Sequence, residues 1–473
     1  MSVLSIQHLS DELKPLLLPL SFHDQFLQRG IFNQIARNVD DTLVQHGLVD
    51  RFIDHLLDAG LIRLHHADIF EFHPQLTVLL RSTFGHSGNK EHDNQWIHRF
   101  VDVFGTLADQ YTSRQLHEQE GIFSIHHQNF HRARNYAERL KMVTHFIALT
   151  QSLATFAQNK QDHTTAGDLF KQQVDFCQRH DQPAAQASAS HQLGLIAQHR
   201  SQYDQAEQWY CKSLAISEKL GLEHFAASTY HQLGLINQDR CQFEKAQQWF
   251  LKALAISKKH SNEHGQAITC YQLGLITQEQ HQYDQARQWY DKSLAIEIKH
   301  GNETAQACTA HQLGLVAEQC RQYDQARQWY DKSLAISEKL GIDHYAASTT
   351  HQLGLIAQEQ HEFNKSEQWY RKSLAISEKQ NNEQSQAMTC GQLGILAQLQ
   401  NNYVESGKWL VKSICLFNRI NDQHYAQISV SEFKRTFHAA SEQDRSQLES
   451  LWRSAGLQSL ATKNKSADDF IPI

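Results

Sequence analysis

The sequence predicts a mostly α fold, a right-handed α-solenoid of helix-turn-helix repeats with a small separate domain at its N-terminal end. Three observations predict it. The phrase His-Gln-Leu-Gly-Leu begins at His191, His231, His311 and His351, Tyr271 heads a further copy, and Gly391 heads one reading Gly-Gln-Leu-Gly-Ile, at a constant step of 40 residues. Trp209, Trp249, Trp289, Trp329, Trp369 and Trp409 keep the same step, so no insertion or deletion separates the copies. The stretches Gln282 to Ile296 and Gln322 to Ile336 are identical. A period of this length marks supersecondary units that bury their apolar faces only by stacking on their neighbours.

Each copy reads as two helices. In the first, Ser190, Leu193, Gly194 and Ala197 fall at the spacing that places them on one helical face, and Ala206, Trp209, Tyr210, Ser213 and Leu214 do the same in the second. Asp204, Asp284, Asp324 and Asn364 precede the second helix as expected N-caps. Gly221, Gly301, Gly341, Asn381 and Asn421 follow it and supply a left-handed residue. Gly194 and its echoes Gly234, Gly274, Gly314, Gly354 and Gly394 sit in mid-helix, where glycine costs about 1 kcal/mol relative to alanine. Recurrence at that cost predicts a packing reason: the second helix approaches closely and Tyr210 or its equivalent fills the space.

At Leu193, Gly194, Tyr203, Ala206 and Tyr210 the chain resembles the tetratricopeptide repeat, and it does so over six copies. Each unit is longer than the common length of about 34 residues and lacks the family's proline after the second helix, as in the longer-loop variety of kinesin light chains. An in-register degenerate copy (Leu153, Ala154, Ala157, Ala166, Leu169, Phe170 and Val174) precedes them as a capping unit. The solenoid is accordingly placed at residues 144–423. Residues 424–473 are expected to form capping helices, carrying Phe433, Phe437, Leu448 and Leu451, and a loose tail after Gly456.

Residues 1–85 have no 40-residue echo and are read as a small winged-helix-like domain. An amphipathic helix from Leu48 to Ala59 is followed by Gly60, by two short strands around His65-His66-Ala67-Asp68, and by Pro74 to Leu80. The stretch Phe72-His73-Pro74-Gln75-Leu76, with Leu79, Leu80 and Arg81, resembles the segment after the ATPase core of bacterial signal-transduction ATPases with numerous domains. Residues 86–143 are assigned to a helical connecting arm, since the helices from Glu118 to about Leu149 are similar to the arm of those proteins. That resemblance implies the sensor part of a signalling or defence switch, with an ATPase or effector as a separate protein. No Gly-x-x-x-x-Gly-Lys-Ser/Thr occurs, and Gly85 to Lys90 has the wrong spacing for a phosphate loop.

A net charge of -7 leaves no basic footprint for nucleic acid or for an anionic membrane. Residues 1–85 carry six Lys or Arg against ten Asp or Glu, which weighs against the alternative of a peptide-responsive DNA-binding regulator. The apolar stretch Leu16 to Leu20 is broken by Pro19, no run reaches membrane-spanning length, and the eight cysteines form no Cys-x-x-Cys pair, so a cytoplasmic protein is expected. Equivalent helices in successive copies stand about 8–10 Å apart, too far for the repeated histidines to share a metal, and the adjacent pairs His65-His66 and His126-His127 are read as surface residues. No metal, cofactor or catalytic residue is assigned, because a side chain that recurs at a structural period reports packing. The protein is read as a non-enzymatic scaffold.

The family resemblance implies that the first helices line a concave groove for a protein or peptide partner. The positions carried over are His191, Leu195, Gln198, His231, Leu235, Gln238, Tyr271, Gln278, His311, Glu318, His351 and Gln358, with Leu275, Leu315 and Leu355 between the polar rungs. Most of these polar groups both donate and accept hydrogen bonds, which suits an extended peptide or a helix.

Overall fold

The computed structural model describes residues 9–84 and 90–457 and divides into two compact units, Met1–Arg240 and Cys241–Ile473. Residues 85–89, within the stretch compared with a phosphate loop, and the tail from 458 onward lie outside the described residues.

The N-terminal unit opens with a 3-10 turn, Lys14–Leu16, then α1 (Leu17–Leu20), β1 (Phe26–Gln28), α2 (Arg29–Val39), α3 (Thr42–Gln45), α4 (Leu48–Asp58), β2 (Ile62–His66), β3 (Ile69–Phe72) and α5 (Pro74–Phe84). Three helices lie between β1 and the β2–β3 hairpin, so this part is a small helical module carrying a short sheet. Both strand pairs are antiparallel, in the order β1-β3-β2, with Phe26 opposite Glu71 and Ile62 opposite Phe72. β2 runs on through His66, so the turn is shorter than expected and falls at Ala67, whose φ is 47°. β1 was not expected: it is only three residues long, and its pairing with β3 is set by tertiary contact.

Helices α6 (Lys90–Thr112), α7 (Leu116–Phe123) and α8 (His127–Arg139) follow, and aromatic packing ties them to the sheet module. Phe22 meets both Phe100 and Tyr136 edge-on, with centroids 5.8 and 5.7 Å apart. The Asn129 side chain donates to the Phe26 carbonyl at 3.0 Å and accepts from the Asp24 amide. Next come α9 (Val143–Asn159), α10 (His163–Arg179), α11 (Pro183–His199), α12 (Tyr203–Lys219) and α13 (Glu223–Asp239).

The second unit continues the pattern with α14 (Phe243–Lys259), α15 (Glu263–Glu279), α16 (Tyr283–Lys299), α17 (Glu303–Gln319), α18 (Tyr323–Leu340), α19 (Asp343–Glu359), α20 (Phe363–Lys379), α21 (Glu383–Leu399) and α22 (Tyr403–Arg419). α23 (Gln423–Ala439) and α24 (Glu442–Ser454) close it. Phe433, Leu448 and Trp452 there pack on Leu410 and Ile414, the apolar seal that the sequence places at this end.

One turn joins each helix to the next from α8 to α23. A left-handed residue recurs every 20 positions from Lys141 to Asn421, with φ between 51 and 67°. The amide after it bonds back around the helix end, as Asn302 N does to the Glu297 carbonyl at 3.0 Å, which satisfies carbonyls the helix leaves free. Gly221, Gly301 and Gly341 occupy this site as expected, but so do Ser201, His281, Arg321 and His361 at the other turn of each repeat. An L-residue there costs about 1–2 kcal/mol, so the surrounding packing imposes the turn where local preference opposes it.

The N-caps differ from expectation. The second helices begin at Tyr203, Tyr283, Tyr323 and Phe363, one residue before the acids and Asn364 taken as caps, and their cap residues Gln202, Gln282, Gln322 and Glu362 make no side-chain cap bond. The aromatic residue packs into the stack, which draws the helix start forward. Side-chain caps occur on first helices, where Asn262, Asn302 and Asn382 accept from the amide three residues on, and on the second helices of the two end repeats, through Asp162 and Asn402.

Candidate functional site

The glycine of each repeat explains how close its two helices come. A Cβ on Gly194, Gly274 or Gly354 would stand 2.5 Å from Cε1 of Tyr210, Tyr290 or Tyr370. The tyrosine ring therefore occupies the place of a side chain, and all three rings are buried. Its hydroxyl donates to the residue four positions after the glycine: Tyr210 to Gln198 and Tyr290 to Gln278 at 2.8 Å, Tyr330 to Glu318 at 2.7 Å, and Tyr370 to Gln358 at 3.3 Å. Four sequence-assigned groove residues are thus half-buried acceptors for the tyrosine of their own repeat. Burial also raises the Glu318 carboxyl above its ordinary range.

The histidines act between repeats. His191 Nδ1 lies 3.1 Å from Thr229 Oγ1, His311 Nδ1 3.0 Å from Thr349 Oγ1 and His351 Nδ1 3.2 Å from Thr389 Oγ1, each hydroxyl on the next first helix. The same rings pack on Tyr210, Tyr330 and Tyr370, with centroids 5.3 to 5.5 Å apart. Burial pushes all three imidazoles down to about 4, so they are neutral at pH 7. His231 shifts the same way. Leu195, Leu235, Leu275, Leu315 and Leu355, with Gln238, stay half-exposed on the first helices. Within each unit these leucines alternate along that face with the polar rungs.

The repeat at Tyr271 departs from this scheme. Tyr271 stands where its sisters carry histidine, so Thr309 loses an imidazole partner and donates instead to Glu297 Oε1 at 3.0 Å, joined by Ser293 Oγ at 2.8 Å. Glu297 replaces the serine of the equivalent positions 217, 257, 337 and 377, is only 5% exposed, and its Oε2 is buried with no hydrogen-bond partner among the described residues. Burial raises its carboxyl pKa, so it lowers stability progressively as pH rises and the folded protein must ionise it. Glu297→Ser is therefore expected to stabilise the second unit by about 1–2 kcal/mol at pH 8 and by less at pH 5, read as the shift in urea midpoint. The sequence offers one signal for this, a single acid in a ladder of serines.

The tryptophans are half-buried bridges. Trp329 packs on the core of the preceding repeat around Tyr290, and Trp369 on that around Tyr330, while Lys292 lies over the Trp289 ring at 4.0 Å. His126 corrects the surface reading of its pair. It is 1% exposed, with its ring nitrogens 3.3 Å from Gln28 Oε1 and 3.2 Å from Asn129 Nδ2, because the loop before α8 folds against β1. His65 and His66 are exposed, as expected. Among the described residues no group of three or more His, Cys, Asp or Glu could hold a metal ion, and no helix is long and apolar enough to cross a membrane.

The tetratricopeptide repeat family matches residues 225–298 and 305–379. A search of curated proteins returned no match to this sequence. Among solved structures, a signal transduction ATPase with numerous domains and a tetratricopeptide repeat sensor, from Pyrococcus horikoshii, is 14% identical with a TM-score of 0.59; the match covers 95% of this chain and 64% of that protein. The chain thus spans less than two thirds of that protein's length, and the likeness concerns the fold. Aspartyl phosphate phosphatase F from Bacillus subtilis is 12% identical over 86% of this chain and 94% of its own, with a TM-score of 0.47. Nearly identical TPR-like repeats of the kinesin-light-chain type from Podosopora anserina are 20% identical over 42% of this chain and 98% of their own, with a TM-score of 0.38.

Proposed function

We propose that this chain, which carries tetratricopeptide repeats over residues 225–298 and 305–379, is a non-enzymatic scaffold that holds a protein or peptide against the face formed by its first helices. One observation carries the reading. In most repeats the polar groups are engaged inside the stack, histidine on threonine at His191, His311 and His351 and tyrosine on the glutamine or glutamate of its own repeat at Tyr210, Tyr290, Tyr330 and Tyr370, which leaves the half-exposed leucines and amides of the first helices as the repeated surface available to a partner. Apolar rungs at a fixed step between hydrogen-bonding groups suit a helix or an extended segment.

The fold likeness to the Pyrococcus protein supports a role as the sensor or adaptor part of a bacterial signalling or defence switch, with an ATPase or effector protein as the second partner. The test places one charge on each side of the second unit. Leu315→Glu alters the first-helix face, and Ala295→Glu alters an exposed position on a second helix. In capture experiments with the full chain, Leu315→Glu is expected to lose at least tenfold of the partner signal while Ala295→Glu keeps it, both variants retaining wild-type helicity. Equal capture by the two variants would remove the groove reading.

A further inference from the structure

The sixth repeat lacks both rings of the interlocked pair. Gly391 stands where the sisters carry His191, His231, Tyr271, His311 and His351, and Leu410 stands where they carry Tyr210, Phe250, Tyr290, Tyr330 and Tyr370. In the complete repeats these two rings pack 5.3 to 5.7 Å apart. Their joint loss opens a pocket of about 150 Å³ beside Gly391, floored by Leu410 and Phe417. A cavity of about that volume accepts a single ring. Its rim is apolar and open to solvent, with Met388 41% and Ile428 37% exposed. A Cβ on Gly391 would meet only ordinary contacts, Ser413 Oγ at 3.4 Å and Ser429 Oγ at 4.0 Å, so nothing in the backbone forbids a side chain there.

The polar wall names the ring. Ser429 holds the position from which Thr229, Thr349 and Thr389 bond the imidazole of the preceding repeat, and with no ring in this repeat its hydroxyl lies 3.0 Å from Ser413 Oγ, a bond that leaves it a further donor or acceptor site. Glu432 holds the position that is Gln232, Gln272, Gln312, Gln352 and Gln392 elsewhere. An acid therefore replaces an amide beside the repeat that has lost both of its own rings, and His351 of the preceding repeat lines the same pocket. Its carboxylate is 2.7 Å from Arg435 Nη1, and its side chain is 17% exposed against 52% for that arginine. A ring with an N–H edge, better still a cationic one, fits this wall; a plain hydrocarbon does not use it.

We propose that this pocket takes the imidazole of a histidine presented by the bound peptide, which completes from outside the histidine ladder that the array builds from within. The inference rests on the peptide-binding reading above. The pocket fixes register: a peptide seated by its histidine at Gly391 lays its remaining residues along the first helices.

The probe is 4-methylimidazole alone, titrated into the full chain at millimolar concentration and followed by NMR shifts and by thermal midpoint. Saturable binding is expected, weakened about threefold to tenfold in Glu432→Gln and abolished in Gly391→His, whose own ring fills the site. Leu410→Phe narrows the pocket without touching Gly391 and is expected to abolish binding as well, which keeps the test available should Gly391→His fail to fold. Absence of saturable binding overturns the proposal, and so does 4-methylimidazole binding equally well in wild type and in Glu432→Gln. Either result with Leu315→Glu still losing its partner sinks this pocket and spares the groove.

Discussion

Gly314→Ala is expected to destabilise the second unit by about 1–2 kcal/mol, although alanine is the better helix former. At an open mid-helix site the exchange would gain about 1 kcal/mol. Here a Cβ would stand 2.6 Å from Cδ1 and 2.9 Å from Cζ of Tyr330, a fully buried ring whose hydroxyl is held by Glu318. A rigid ring pinned at its far end cannot swing aside, so either α17 and α18 separate or the ring leaves its rotamer. Overpacking of this kind costs about 1–3 kcal/mol, occasionally more, and outweighs the propensity gain. Gly121→Ala is the matched control: a Cβ there meets nothing within 4 Å, and a gain of up to about 1 kcal/mol is expected. Urea unfolding of both variants, with hydrogen exchange on α17 and α18 to localise the effect, decides the matter. If both glycines gain from alanine, close approach is not what the recurring glycine provides.

That glycine shows how the sequence exposes its own packing. A residue that costs stability at six equivalent positions has to be compensated at each, and the tyrosine that compensates it sits 16 residues on in four of them, at the same step each time. The two-helix repeat, the hairpin after Leu61 and the apolar seal at the C-terminal end were legible for the same reason: each rests on a period or on local turn chemistry. What escaped the sequence rests on neither. β1 exists because β3 offers it an edge, and His126 is buried because Gln28 on β1 meets it from far along the chain. The non-glycine left-handed turns at Ser201 and Arg321 have no local signature at all. The polar rungs were placed on the correct helices, but which of them bond inside the stack required the positions of Tyr210 and Thr229, one on the partner helix and one on the next repeat.

The histidine ladder carries the largest expected dependence on conditions. His311 and His351 are held at about 4 by burial, against an ordinary value of 6.5, so between those limits the unfolded chain binds protons that the folded chain refuses. Stability is then full above about pH 6.5 and falls as the pH drops towards 4, the direction set by a base whose folded pKa is depressed. For each histidine the loss amounts to about 2 kcal/mol at pH 5, at one pKa unit to about 1.4 kcal/mol. The window from pH 6.5 to 5 is chosen because ordinary carboxylates take up few protons there. The two histidines are therefore expected to withdraw on the order of 4 kcal/mol from the second unit in that window, offset in part by Glu297 and Glu318, whose raised carboxyls gain protons as the pH falls, with the urea midpoint as readout. His311→Gln keeps a hydrogen-bonding group against Thr349 and cannot titrate, so it is expected to halve the slope while costing little at pH 7. Protonation would also set an imidazolium between the Tyr330 ring and the Ser348 and Thr349 hydroxyls, where no carboxylate among the described residues bonds the ring to offset the buried charge. An unchanged slope in His311→Gln would mean that the ring is protonated in place without penalty, and the neutral ladder between repeats would have to be abandoned.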